Sequence, residues 1–194
     1  MAAANEQGGL VTNGMSYHAR DGVNCNAALL AAVTPADYGN GHPLAGMYFQ
    51  RELERAAYAV AGDYRAPAQR LEDFLQNRTT TAFGQVTPTY QPGVIPYNLR
   101  TLLPGYVSNA MAEAIPVFDR KLKGFALGDA VLTAPETRSS SPVRIVRDAE
   151  NKTALPGLYP AGEGAGYAGG IVSAALDGER IADAVARYCK AHNL

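Results

Sequence analysis

Residues 155–185 read LPGLYPAGEGAGYAGGIVSAALDGERIADAV, with six glycines between positions 157 and 170. From residue 171 onward, apolar residues recur with the spacing of one helix face, at 171, 174, 175, 181, 182, 185, 188 and 189. Positions 177, 180, 183, 187 and 190 are polar or charged, which predicts that they face outward. We therefore expect a strand, a glycine turn and then a helix from Gly170 to about Lys190.

The glycine turn predicts a backbone that a ligand can approach closely. Glycine carries no Cβ, and the free N–H groups at the start of a helix present partial positive charge to an electron-rich ligand. A plain tight turn is the alternative, but the density of glycine favours a ligand. Gly164, Gly166 and Gly169 formally match the GxGxxG of a Rossmann site, which also needs a second strand ending in an acidic residue about 20 residues on. The sequence stops at Leu194, so we expect this segment to join a sheet built from other residues.

Several stretches of the chain resemble one flavoprotein family. They are Gly8–Ser16 (GGLVTNGMS), Ala19–Gly22 (ARDG), Pro43–Gly46 (PLAG), Glu136–Ile145 (ETRSSSPVRI) and Gly157–Glu163 (GLYPAGE). The last of these, with the Gly169-Gly170 pair and the Ala-rich helix, resembles the C-terminal flavin motif of flavoproteins with two dinucleotide-binding domains. The chain as a whole is similar to bacterial FAD-dependent dehydrogenases and oxidoreductases of that type.

The resemblance implies an FAD cofactor and a set of contacts to it. Glu163 would lie near the ribityl or pyrophosphate part of FAD, and the amides around Gly169, Gly170 and Ile171 would face the pyrimidine edge of the isoalloxazine. Flavin reduction places negative charge on that edge, which a helix N-terminus stabilises. The expected cofactor-binding residues are Gly162, Glu163, Gly164, Gly166, Gly169, Gly170 and Ile171.

Two features of that family are missing, namely its N-terminal Rossmann fingerprint and a short cysteine-containing segment. We therefore expect Met1 to be an artificial boundary, a mispredicted start or a genuine truncation. We also expect this chain alone to bind FAD weakly or not at all and to be inactive. A non-catalytic remnant, or a subunit that needs a separate Rossmann-bearing chain, is the alternative. A phosphate-binding module without redox chemistry is weaker, because no Lys or Arg accompanies the turn in sequence.

Four residues are candidates for binding a small-molecule substrate. Arg138 and Arg144 flank a run of serines that includes Ser141, where guanidinium groups could hold an anionic group or the flavin edge. A solvated hairpin is the competing interpretation. Arg20 could line the same cleft, although an Asp-Gly turn explains that segment as well. The three histidines are isolated, so we expect no metal site and assign no catalytic acid or base.

The predicted fold class is α+β, a helix-rich region with a small sheet followed by the terminal strand, turn and helix. We expect residues 1–26 to be a lead-in from a missing FAD-binding half, 27–147 a substrate or cap-like region, and 148–194 a C-terminal FAD-binding segment. The predicted helices are 44–61, 67–77 and 103–123, the last kinked or divided at Pro116. The predicted strands are 130–133 and 143–146, and residues 27–34 are either a buried strand or a helical turn, with a strand preferred. Residues 78–96 are expected to form a long loop.

Composition narrows the class of partner. With 17 Lys and Arg against 18 Asp and Glu, and an isoelectric point near 6.3, the chain has no charge pattern for nucleic acid or an acidic membrane. Two cysteines far apart in sequence favour a reducing, cytoplasmic setting. The incomplete terminal element should leave an apolar face uncovered. We therefore expect a homo-oligomer through that surface, or poor solubility, unless the chain repacks.

Overall fold

A computed structural model describes residues 3, 5–39 and 41–193 and confirms the α+β class. Within these residues the chain forms six helices and three strands. The helices are α1 Pro35–Tyr38, α2 Ala45–Ala61, α3 Leu71–Leu75, α4 Leu99–Leu102, α5 Gly105–Lys121 and α6 Ile171–His192. The strands are β1 Ala66–Arg70, β2 Val94–Pro96 and β3 Val131–Thr133.

The chain divides into two compact units. The first unit comprises Met1–Asp37 and Phe49–Thr137, and the second comprises Tyr38–Tyr48 and Arg138–Leu194. The glycine turn and α6 therefore belong to the second unit. The three-part division at residues 26 and 147 stays a prediction.

The first unit is built around a three-stranded sheet in the order β2-β1-β3. The central strand β1 runs parallel to β2, with Ala66 opposite Val94, and antiparallel to β3, with Ala68 opposite Thr133. Its side chains are almost wholly buried. The main core beside it consists of Leu71, Phe74, Leu99, Ile115 and Ala134.

Two long helices confirm the periodicity of the sequence. The helix predicted at 44–61 is α2, and Gly62 follows it at φ +71°, the left-handed conformation that ends helices. The helix predicted at 103–123 is α5, which continues through Pro116, so the division into two helices at that residue is wrong.

Residues 67–77 are only partly the helix that the sequence predicted. Pro67 suggested the first turn of a helix, yet it lies in β1, and helix α3 begins at Leu71. Proline has no N–H for a sheet ladder, but the Pro67 carbonyl accepts a hydrogen bond from the Ala134 amide at 3.1 Å. Burial of the neighbouring alanines in the sheet outweighs the local helix signal.

Three predicted strands do not form. Residues 27–34 have no regular structure, and Pro35 begins α1 instead of ending an element. In 143–146 the Ile145 amide donates to the Ala165 carbonyl at 3.1 Å, so this segment pairs with the glycine turn and not with a strand. The strand predicted before the glycine turn is absent as well: residues 156 and 157 form a turn with Gly157 at φ +78°, residues 158–160 have no regular structure, and Pro156 and Pro160 lack amide donors.

The helix predicted from Gly170 to Lys190 is α6, but its packed face differs from the predicted one. Asp177, Ile181 and Ala184 are its buried residues, whereas Ala182 is exposed. Asp177 was expected to face outward because it is charged. The structure contradicts this because Asp177 has an ion-pair partner in the interior of the second unit.

Candidate functional site

The glycine turn is closed by two backbone hydrogen bonds. The Tyr167 amide donates to the Gly162 carbonyl at 3.0 Å, and the Gly166 amide donates to the Glu163 carbonyl at 2.9 Å. Gly162 and Gly166 have φ of +66° and +81°, a region that residues with side chains rarely adopt. Two of the glycines are therefore required by the shape of the turn itself.

Other glycines of the segment leave the backbone open. A Cβ added to Gly164 or Gly169 would meet no atom within 4 Å, and both residues are exposed. At Gly166, in contrast, a Cβ would overlap the Val143 carbonyl oxygen. The turn thus packs against Val143 on one side and presents bare backbone on the other.

A buried ion pair lies beneath the turn. Both oxygens of Asp177 accept hydrogen bonds from the Arg147 guanidinium, at 2.6 and 2.9 Å, and the two side chains are only 8% and 7% exposed. Arg147 also donates to the Pro160 carbonyl at 2.9 Å, and Asp177 accepts the Gly162 amide at 2.8 Å. This ion pair therefore joins α6, the start of the turn and the segment that precedes it.

Tyr167 packs on the same ion pair. Its ring centroid lies 3.6 Å from the centre of the Arg147 guanidinium, a cation–π contact. Its hydroxyl donates to the Ile145 carbonyl at 3.1 Å and accepts from the Arg147 amide at 3.2 Å. We call Arg147, Tyr167 and Asp177 the anchoring cluster.

The electrostatics of the anchoring cluster follow from this geometry. The hydrogen bonds from Arg147, and after them the one from the Gly162 amide, lower the pKa of Asp177 to about 2. The same ion pair raises the pKa of Arg147. Both groups are therefore charged at neutral pH.

The start of α6 is partly satisfied by its own residues. The Gly170 amide donates to the Ser173 hydroxyl oxygen at 3.1 Å, and that hydroxyl donates to the Gly170 carbonyl at 2.9 Å. Of the three amide positions expected to face a ligand, Gly170 is thus already engaged. Ile171 is the first residue of α6, so its amide has no acceptor within the helix. Its side chain is 93% exposed.

Two of the proposed substrate residues contact the turn. The Arg144 Nε donates to the Gly166 carbonyl at 2.9 Å, and the Ser141 hydroxyl lies 3.2 Å from the Gly164 carbonyl. Arg138 is exposed in the same unit. The sequence argument against a phosphate-binding module was that no Lys or Arg lies near the turn. In the folded chain this is wrong, because Arg144 and Arg147 contact the turn and the segment before it from a separate stretch of sequence.

Arg20 belongs to the first unit. It is exposed, has φ +54°, and donates its amide to the Tyr17 carbonyl at 3.0 Å. With Met15, Ser16, Tyr17 and His18 it lines an open concavity of about 650 Å³. This loop places a cation at a concave surface without burying it.

Sequence reasoning missed the anchoring cluster. Asp177 lies three residues after Ala174 and four before Ile181, so helical spacing places it on the same face as both. A carboxylate on an apolar face is the signal that predicts a buried cationic partner. The sequence near Asp177 does not identify Arg147 as that partner, because the two residues are 30 positions apart.

Comparison with known proteins gives two results. The family model described as "FAD-dependent protein, C-terminal domain-like" matches residues 1–139. An uncharacterized protein of Clostridium beijerinckii (strain ATCC 51743 / NCIMB 8052) is 50% identical over 185 residues, 94% of this chain and 35% of that protein. The chain therefore spans about a third of the length of that relative. The glycine turn lies outside residues 1–139, which the family model matches. The alignment with the relative covers 94% of this chain, so too few residues fall outside that alignment for the turn to be left out of it.

Within the described residues, none of the helices has the length and apolar character needed to cross a membrane.

Proposed function

The chain belongs to the family described as FAD-dependent protein, C-terminal domain-like, and from this premise we propose that its glycine turn and the start of α6 close over the isoalloxazine of FAD in a longer oxidoreductase. The observation that carries the proposal is the bare, exposed backbone at Gly164 and Gly169, directly before the N-terminus of α6.

The residues present fit a flavin ring. A planar aromatic system needs a surface without protruding side chains, and a Cβ at Gly164 or Gly169 would project into open space. The neighbouring Ile171 is almost fully exposed and offers apolar contact. The remaining first-turn amides of α6 add partial positive charge.

When bound, FAD would supply hydride and electron transfer. The residues of this chain would position the ring and stabilise negative charge on its pyrimidine edge through the amides near Gly169 and Ile171. Glu163 is exposed at the turn, where its carboxylate would accept hydrogen bonds from ribityl hydroxyls. Gly162 shapes the turn, because Asp177 accepts its amide, and its contact with the cofactor stays a prediction.

We further propose that Arg144, with Arg138 and Ser141, holds an anionic group of the substrate. In the described part of the chain, Arg144 donates a hydrogen bond through its Nε alone, to the Gly166 carbonyl. The two terminal nitrogens of Arg144 can therefore donate to an oxyanion. Arg20 stays a separate candidate for substrate binding, as an exposed cation at the open concavity of the first unit. The dehydrogenase activity and a cytoplasmic location are part of the same proposal.

The alternatives from the sequence make different predictions about binding. A phosphate-binding module would use Arg144 and recognise ADP, whereas a flavin-ring contact recognises riboflavin. A remnant, or a subunit that needs a Rossmann-bearing chain, would show no redox activity alone. Membership of a family of FAD-dependent proteins favours the flavin contact over a phosphate-binding module.

Titration of the 194-residue chain with FAD, riboflavin and ADP tests the proposal. Because the contact is to the ring, we expect FAD and riboflavin to bind with similar dissociation constants, weaker than about 1 µM, and ADP not to bind. Flavin fluorescence and amide chemical shifts report the binding. Binding of ADP as tight as that of FAD, without binding of riboflavin, would overturn the proposal in favour of the phosphate module.

A matched pair of variants locates the site. The double variant Gly164→Ala/Gly169→Ala places two methyl groups on the open backbone and should weaken riboflavin binding at least about fivefold, or about 1 kcal/mol. The control Gly105→Ala/Gly178→Ala adds methyl groups at two glycines that also have open space. Equal losses of binding in both variants would contradict the assignment.

We also propose that the apolar start of α6 packs against the rest of the parent protein, or against a second copy where that part is absent. Val172 and Leu176, which lie four residues apart on one face of α6, are 72% and 60% exposed. Apolar side chains grouped on one helix face usually mark a contact surface.

A further inference from the structure

The exposed part of the glycine turn is tied to the body of α6. Asp177 lies in the second turn of that helix, and its carboxylate accepts the Gly162 amide at 2.8 Å. The other end of the turn enters α6 directly at Ile171. Residues 163–170 thus form a loop whose two ends are both fixed to one helix.

The middle of this loop is fixed as well. The Tyr167 amide donates to the Gly162 carbonyl at 3.0 Å, and the Tyr167 ring covers the Arg147 guanidinium. The same guanidinium donates two hydrogen bonds to the Asp177 carboxylate. The anchoring cluster therefore holds the loop at its start, through Gly162, and at its centre, through Tyr167. Gly164 and Gly169 remain exposed between these points.

We infer that Asp177 is a positioning residue of the flavin contact: held by Arg147 and joined to Gly162, it sets the conformation in which loop 163–170 presents its open backbone to the ring. This inference rests on the proposed function. Asp177 itself lies beneath the turn and acts through the Gly162 backbone.

The hydrogen bonds of Asp177 are directional, and this indicates that Asp177 positions the turn and does not merely fill the interior. Apolar residues of similar volume would fill the interior equally well, because a buried ion pair contributes little net stability compared with hydrophobic packing. An ion pair that also accepts a backbone amide fixes orientation, since all of its bonds are directional. The Cβ of Ala174 would lie 3.9 Å from a Cβ on Gly162, so the turn sits close to α6 where the amide is held.

Hydrogen exchange of the chain without flavin is the first test. Asp177→Asn keeps the side-chain shape but removes the charge that holds Arg147. We expect the Gly162 and Tyr167 amides to exchange at least about tenfold faster than in the wild type, with the centre of α6 unchanged. Glu150→Gln is the matched control, because it neutralises the exposed ion pair with Lys152 in the same unit. Turn amides that exchange within about twofold of the wild type would overturn the inference.

Riboflavin titration followed by the flavin absorbance spectrum is the second test. Asp177→Asn should weaken binding at least about fivefold, whereas Glu150→Gln should not change it. If Asp177→Asn fails to fold, Tyr167→Phe replaces it in both tests. That variant removes the hydroxyl bonds to Ile145 and Arg147 but keeps the ring, and we expect smaller changes of about threefold.

The two tests separate the two claims. Faster exchange in Asp177→Asn, with no riboflavin binding by the wild type, would refute a flavin contact made by this chain alone and leave the anchoring of the turn intact. Riboflavin binding that is equal in wild type and Asp177→Asn would refute the positioning role, whatever the exchange rates. Loss of binding together with faster exchange supports both.

Discussion

Gly166 lies directly against Val143, so closely that a Cβ on the glycine would overlap the Val143 carbonyl oxygen. The Arg144 backbone borders the same position, and the Arg144 side chain donates to the Gly166 carbonyl at 2.9 Å. The segment around residue 143 and the turn are therefore packed backbone to backbone. This contact explains why the segment does not pair as a strand.

Gly166→Ala should destabilise the second unit. The left-handed φ of +81° and the overlap with Val143 both penalise a side chain, and we expect a loss of about 2–4 kcal/mol in the free energy of unfolding. Urea denaturation followed by circular dichroism measures it. Gly164→Ala is the control, because its Cβ meets no atom within 4 Å. If the urea midpoint of Gly166→Ala equals that of the control, Gly166 does not pack against Val143 as described.

Acid should weaken the second unit through Asp177. Its pKa in the folded chain is about 2, below the ordinary value of 3.8. A depressed pKa contributes stability above the unfolded value, and that contribution is lost as the pH falls through the folded value. We expect the stability difference between wild type and Asp177→Asn to be constant from pH 7 to pH 5. Between pH 5 and pH 2 it should shrink by about 2 kcal/mol.

Chemical denaturation at a series of pH values tests this expectation. Other carboxylates also have lowered pKa values, among them Asp73 and Asp129, so the wild type alone would not isolate Asp177. The difference between the two proteins cancels those contributions. A difference that stays unchanged down to pH 2 would contradict the assignment of the low pKa to Asp177.

The success of sequence reasoning depended on whether a signal was local. The periodicity of α2 and α6 is local, and both helices form where it predicts them. Pro67 and Asp177 were misassigned because tertiary contacts decide their environment. Proline is tolerated at position 67 because Ala66 and Ala68 form the bonds on the β2 side and the pairing with β3 begins at Ala68. A carboxylate is tolerated inside when an arginine 30 residues away reaches it. The glycines of the turn were found, but the anchoring cluster was not.

The first unit has its own buried carboxylate. Asp73 accepts the Thr80 hydroxyl at 2.7 Å and the Arg78 Nε at 2.6 Å. The Thr80 hydroxyl oxygen also accepts the Arg70 amide at 2.9 Å, and Thr80 is 1% exposed. This hydroxyl therefore joins the end of β1 to α3.

Thr80→Val should destabilise the first unit despite its nearly equal volume. The valine leaves the Arg70 amide and one Asp73 oxygen without their partner in a buried place, which costs about 1–3 kcal/mol. Thr101→Val is the matched control, because the Thr101 hydroxyl bonds to the Asn98 carbonyl in an exposed position. Thermal denaturation should show a lower melting temperature for Thr80→Val only. Equal melting temperatures for the two variants would mean that the Thr80 hydroxyl contributes nothing there.

The two faces of α6 should respond in opposite ways to polar substitution. Val172 and Leu176 are 72% and 60% exposed, whereas Ile181 on the same helix is 7% exposed. Replacing the first two with Gln removes apolar surface that solvent already reaches, so we expect little loss of stability and less self-association in sedimentation velocity. Ile181→Gln places an unpaired amide in the interior and should cost about 2–4 kcal/mol. A stability loss in Val172→Gln/Leu176→Gln as large as that of Ile181→Gln would show that this face is packed within the chain, and the proposed contact surface would have to be abandoned.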